Sequence, residues 1–113
     1  MIFTQVEYKV KQGMHTRFSH IMFGRLNMVT RNGIMKVYYT PGVLDNIPYE
    51  KNGKCKIIIK EQKDIDFEPV IECCEKFYAS SCSFDKEFSG ISGRKRHETY
   101  VKNKGLEIHN GLN

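Results

Sequence analysis

A chain of 113 residues with 40% apolar and 12% aromatic side chains has material for one hydrophobic core and too little for two. No apolar run approaches the roughly 20 residues of a membrane-spanning helix, and Ile2-Phe3-Thr4-Gln5-Val6-Glu7 alternates where a signal peptide is unbroken; a soluble, cytoplasmic protein is expected. Cysteines at 55, 73, 74 and 82 include an adjacent pair that cannot readily close on itself, which argues against a disulfide framework and for small buried thiols.

Residues 2–10 alternate, with Ile2, Thr4, Val6, Tyr8 and Val10 on one face, and predict a strand. The period then changes. Met14, Phe18, Ile21, Met22, Leu26 and Val29 form one helical stripe, and Asn32-Gly33 supplies a left-handed stop. Ile34–Thr40 and Cys55–Lys60 are rich in β-branched and aromatic residues and predict a central hairpin, joined by a loop with Pro41-Gly42, Asp45-Asn46 and Pro48. Glu68-Pro69 suits a helix first turn, and Val70, Ile71, Cys74, Phe77 and Tyr78 recur at helical spacing, predicting a helix over 67–80. Residues 81–93 predict a loop, Thr99-Tyr100-Val101 a last strand, and 105–113 a tail outside a single domain of 1–104.

The order β, α, β, β, α, β predicts an α+β fold, specifically a ferredoxin-like βαββαβ sandwich with both helices on one face of an antiparallel sheet. Charge is polarised along the chain. Residues 1–60 hold ten Lys/Arg against three acids, residues 61–85 two against seven, and residues 86–113 six against three, within a net charge of +5.

The basic residues give the leading functional expectation. Arg17 and Arg25 on the first helix, Lys51, Lys54, Lys56 and Lys60 on the hairpin, and Arg94, Lys95 and Arg96 near the end could neutralise backbone phosphates. Tyr38, Tyr39, Tyr49 or Tyr100 could stack on bases. The chain lacks the aromatic strand signature of RNA-recognition domains, because Cys55–Lys60 places isoleucines where those aromatics would be. An ordinary solvated surface explains the same lysines.

A second pattern lies at the end of the second hairpin strand, where Glu61 and Lys63 share a face with Ile57 and Ile59, downstream of Asp45. Asp45 followed by Glu61-x-Lys63 resembles the Asp, Glu-x-Lys pattern of divalent-metal nucleases. The resemblance implies two carboxylates holding Mg²⁺, a lysine orienting the attacking water, and a metal polarising the scissile phosphate. A solvated strand end is the alternative, and no other cofactor is implied.

Other constellations are thinner. Cys73, Cys74, Cys82 and His97 lack the two-to-four-residue spacing of zinc ligands, so no metal site is expected. His15 and His20 are five apart and do not share a helix face, and no local signature supports Cys82 with His97 as a catalytic pair. Tyr100 with Lys104 is similar to the tyrosine nucleophile of strand-nicking replication proteins, whose paired histidines are missing here. The sequence therefore predicts a small basic nucleic-acid-binding module. Its alternatives are a protein-interaction or inhibitor module using the acidic segment 61–85 or a sheet edge, and the nuclease; a homodimer through the N-terminal strand is compatible with each.

Overall fold

The computed structural model describes residues 2–60, 64–83, 85 and 87–109. Along the chain run β1 (Ile2–Val10), α1 (His15–Phe23), β2 (Arg25–Arg31), β3 (Ile34–Thr40), β4 (Tyr49–Lys51), β5 (Lys56–Lys60), α2 (Glu68–Ile71), β6 (Cys74–Ser83) and α3 (Gly93–Asn103). The fold is α+β. Four strands form one antiparallel sheet in the order β4-β5-β1-β6, while β2 and β3 form a separate two-stranded ribbon.

β1 holds the sheet together because it is paired on both edges. It meets β5 from Phe3↔Lys60 to Glu7↔Lys56 and β6 from Ile2↔Ser83 to Val10↔Cys74, with an irregularity between Lys9 and Val10. Directly opposed residues in an antiparallel pair share a face. Val6, Ile57 and Ile59 therefore line one side with Val10, Cys74 and Tyr49, and Phe18 and Met22 of α1 and Val70 of α2 close over them. Burial of each large aliphatic side chain contributes about 1.5–3 kcal/mol, which makes this layer the main source of stability. On the other side Phe3, packed 5.5 Å from Phe88, and Ile58 are buried, and the remaining positions are polar apart from Cys82 and the exposed Tyr78. Among the described residues no helix is long and apolar enough to cross a membrane.

The ferredoxin-like βαββαβ sandwich expected from the sequence does not form in that arrangement. The sheet order differs, the ribbon stands between α1 and β4, and a third helix follows β6. Each departure has an identifiable cause. α1 ends at Gly24, whose φ of 91° and close approach to the Tyr39 ring exclude a side chain, so Leu26 and Val29 fall in β2 and leave the helical stripe. Asn32 and Gly33, with φ of 52° and 77°, are the two-residue turn of the β2–β3 hairpin. β3 consequently pairs with β2, and β5 with β1 and β4, in place of the expected β3–β5 hairpin. The expected helix over 67–80 shrinks to α2, because residues 74–83 complete the second edge of β1 as β6. Residues 99–101, expected as a strand, are the last turns of α3, which Ser92 caps by accepting the Lys95 N–H at 3.2 Å.

Residues 41–48, between the ribbon and β4, clasp two helices. Val43 and Leu44 donate their N–H groups to Ile21 and Met22 at the end of α1 (2.8 and 3.0 Å), while Leu44 and Asp45 accept the N–H groups of Gly93 and Arg94 at the start of α3 (2.8 and 3.1 Å). Gly42 permits this approach, since a Cβ there would run into the backbone of Gly24 and Ile21. Leu44 is fully buried. Leu44→Ala is accordingly expected to lower unfolding free energy by about 2–5 kcal/mol, and Gly42→Ala to cost at least about 1–3 kcal/mol through overpacking, both read as shifts in the urea midpoint.

Candidate nucleic-acid interface

Arg96, His97 and Tyr100 are one and four residues apart, so α3 projects them to one side. Facing them are Ser19 and Phe23 of α1, Leu26 of β2, and Tyr49 and Lys51 of β4. Together they line an open cleft of about 400 Å³ that contains no acid among its described lining residues. Tyr49 is its floor, 3% exposed and packed 5.2 Å from the Phe23 ring.

The Arg96 guanidinium lies over the Tyr49 ring, 4.5 Å from its centroid, and donates through Nη2 to the Tyr49 carbonyl oxygen at 2.9 Å. Its Nε–H is buried and meets no acceptor among the described residues. The ring below and the carbonyl bond hold the guanidinium in one place, so an anion meeting its remaining N–H groups orders little that is not already ordered. Lys51 forms no ion pair with a described residue. His97 Nε2 lies 3.0 Å from the Phe23 carbonyl oxygen. A carbonyl only accepts, so Nε2 carries a proton and donates it to Phe23. Tyr100, 50% exposed, stands at the rim with Lys104 Nζ 5.4 Å from its ring centroid. That ammonium is over the ring face, so the Tyr100–Lys104 pair has cation–π geometry.

The structure gathers only part of the residues singled out in the sequence. Arg96, Tyr49 and Tyr100 meet in the cleft with Lys51, although Tyr49 is covered by Arg96 and is floor, so it cannot itself stack on an incoming base. Arg94 is occupied: it pairs with Asp45 at 3.3 Å and lies over the Tyr39 ring at 5.1 Å. Arg17 on α1, Lys54 in the turn before β5 and Lys95 on α3 are exposed and apart from the cleft, while Arg25 begins β2. Lys56 and Lys60 project from the opposite sheet face, with Lys56 held by Glu7 at 3.7 Å; on that face Lys9 is likewise held by Glu75 at 3.2 Å.

Asp45, the first residue of the nuclease pattern, has both carboxylate oxygens engaged, Oδ1 by the Tyr39 hydroxyl at 2.6 Å and Oδ2 by Arg94. Glu61 and Lys63 lie outside the described residues. Cys82 shares the sheet face of Phe3 while His97 is bonded to α1 across the other face, so these two do not meet. Among the described residues no group of three or more His, Cys, Asp or Glu is placed to hold a metal ion.

Ser19, Phe23, Leu26 and His97 were not assigned to a binding surface from sequence. The available signal was the spacing 96, 97, 100 behind a Ser92 cap, and the absence of any acid between Glu7 and Asp45 while Lys9, Lys11, Arg17, Arg25, Arg31 and Lys36 intervene. No family model matches this chain, and neither a curated protein nor a solved structure matches it at a significant level.

Tyr8, Tyr39 and Tyr49 are held as neutral phenols. Burial, reinforced by the neighbouring thiol of Cys55, pushes Tyr8 up to about 12, and burial followed by the hydrogen bond to Asp45 raises Tyr39 further. Burial also raises Tyr49, with Arg96 opposing it. A folded-state pKa above the unfolded value near 10 gives stability that is complete below pH 10 and is lost as pH rises through the folded value. The urea midpoint is expected to fall progressively above pH 10, and Tyr8→Phe to flatten that fall.

Proposed function

We propose that the chain binds single-stranded nucleic acid, seating a phosphate against Arg96 and Lys51 and stacking an adjacent base on Tyr100 at the rim. The observation that carries this reading is the Arg96 guanidinium, fixed over the Tyr49 ring and bonded to the Tyr49 carbonyl, in a cleft whose other cation is unpaired among the described residues. Its planar fork, already held in place, loses little freedom on meeting a phosphate. The polar groups Ser19, His97 and the Tyr100 hydroxyl supply donors and acceptors at a rim open enough for a continuing strand. No described element reads base edges in this cleft, so sequence selectivity is expected to be low.

The opposite sheet face is a weaker candidate on charge grounds. Lys9 and Lys56 there are paired with Glu75 and Glu7, which leaves Lys60 and Lys76 as its lysines without an acid among the described residues. A protein-interaction role has one specific observation behind it. The outer edge of β6 pairs with no described strand, and Tyr78, Ala79, Ser80 and Ser81 along it are exposed, which suits strand addition by a peptide.

Fluorescence anisotropy with labelled single strands across a salt series separates these roles. Binding is expected with a negative slope of log K against log salt, and Lys51→Ala is expected to reduce that slope by about 0.7, the loss of one phosphate contact. Tyr100→Ala is expected to weaken binding by roughly 5- to 150-fold, the equivalent of one lost base stack. Absence of measurable affinity at low salt, or affinity indifferent to both substitutions, rejects the cleft.

A further inference from the structure

We propose that the solvent-facing side of the β2–β3 ribbon is a second nucleic-acid surface, one that enters the major groove of B-form duplex DNA. The register assigns the two sides of the ribbon without ambiguity. Pairs Arg25↔Thr40, Asn27↔Tyr38, Val29↔Lys36 and Arg31↔Ile34 share one face, and Leu26↔Tyr39, Met28↔Val37 and Thr30↔Met35 share the other.

The second of these faces is turned inward at its base, around Leu26, Val37 and Tyr39, while Met28, Thr30 and Met35 nearer the turn are exposed. Val37 is 1% exposed, its strand is bridged by Ile108, its carbonyl oxygen accepts the His109 N–H at 2.6 Å, Leu26 lines the cleft, and the Tyr39 ring packs 5.2 Å from His97. The first face is mostly left to solvent, with Tyr38 packed 5.4 Å from the His109 ring. It carries three cations, Arg25, Arg31 and Lys36, all exposed, and the ribbon from residue 25 to 40 contains no acid at all. Soluble strands normally alternate charges of both signs across such a face. A single-sign face of donors, with Asn27, Thr40 and Tyr38 beside the cations, is complementary to a polyanion.

Shape narrows the ligand further. A major groove about 12 Å wide admits a two-stranded ribbon, whereas the A-form major groove is too deep and narrow for side chains to read. The seven-residue strands span about 23 Å at roughly 3.3 Å per residue and close in a tight Asn32-Gly33 turn, so the end of the arm is slender. Towards that end a concavity of about 400 Å³ is lined by Val29, Arg31, Asn32, Ile34, Lys36 and Tyr38. Ile34, 62% exposed between two cations, is the kind of apolar contact that thymine methyl groups make. This inference extends the nucleic-acid reading above, but it uses a surface on the other side of the ribbon from the cleft.

The test compares three labelled probes, a B-form DNA duplex, an RNA duplex of the same sequence and the single DNA strand, against Arg31→Ala/Lys36→Ala and, separately, Tyr100→Ala. The ribbon variant is expected to reduce the salt slope for duplex DNA by about 2, one per lost phosphate contact, with single-strand affinity unchanged. Wild-type protein is expected to prefer the DNA duplex over the RNA duplex. A wild type that binds the single strand but no DNA duplex, or binds the RNA duplex as well as the DNA duplex, overturns the ribbon proposal and leaves the cleft standing. Equal losses on duplex and single strand in the ribbon variant also overturn it. Loss of duplex binding in that variant, alongside single-strand binding that Tyr100→Ala does not alter, supports the ribbon and rejects the cleft. Because the substituted side chains are exposed, an unchanged melting temperature confirms that both variants compare folded proteins.

Discussion

The last four carbonyls of a helix have no partner within it, and at the end of α1 each finds one elsewhere in this chain. His20 receives the N–H of Gly24, Ile21 and Met22 receive those of Val43 and Leu44, and Phe23 receives His97 Nε2. Three of these donors come from distant parts of the sequence, so the helix end is a junction where the clasp and α3 are tied to the core. Left unpaired in the interior, each carbonyl would cost about 1–3 kcal/mol. That penalty explains why the clasp must run where it does, and why Gly24 and Gly42 must lack side chains at the crossing. The orientation of α3 follows from the same junction, since its first N–H groups are satisfied by Leu44 and Asp45.

The cleft is a by-product of that geometry. α3 is short of apolar residues, and only Gly93 and Val101 of it are buried, so it is not held by a hydrophobic stripe. It is held by backbone bonds to the clasp, by Arg94 between Asp45 and Tyr39, by Arg96 on Tyr49 and by His97 on Phe23. Two of these attachments, Arg96 and His97, are also cleft walls. The side chains offered to a ligand are therefore fixed before any ligand arrives, which is the condition under which polar groups bind with little entropic loss. Tyr39 shows how tightly the other attachment is made, since its hydroxyl is committed to Asp45 and its ring to both Arg94 and His97.

What could be read from the sequence was set by how local its cause is. β1, β3 and β5 announce themselves, because alternation and β-branched runs are properties of the strand alone. The helical stripe from Met14 to Val29 was half true. Phe18 and Met22 are core residues of α1, but Leu26 and Val29 fit a strand equally well, and the decision lies with Gly24, whose positive φ and close approach to Tyr39, fifteen residues on, both require the lack of a side chain. β6 is the harder case. Val70, Cys74 and Phe77 have helical spacing, yet the free edge of β1 gains a ladder from Ile2 to Val10 when residues 74–83 extend, and that pairing is invisible in either segment by itself. The site was legible as residue types and illegible as a place: Arg96 and Tyr100 were marked as basic and aromatic, but their convergence required α3 to be a helix.

Net charge is a poor guide to where this molecule could meet an anion, because its cations do not act alike. On the polar sheet face Lys9 and Lys56 are balanced by Glu75 and Glu7, and at the start of α3 Arg94 is balanced by Asp45. The two exposed lysine pairs add little stability, on the order of 0–1 kcal/mol, but all three pairs reduce the local potential. Arg17, Lys54, Lys60 and Lys95 also lack an acid partner among the described residues but lie apart from one another, whereas unpaired cations gather in the cleft with Arg96 and Lys51 and on the outer ribbon with Arg25, Arg31 and Lys36. Both border the ribbon, which is inserted between α1 and β4 and takes no part in the main sheet. A strand pair that the core does not need is free to carry a single sign of charge on its outward face, since its inward face, held through Val37 and Leu26, does the anchoring.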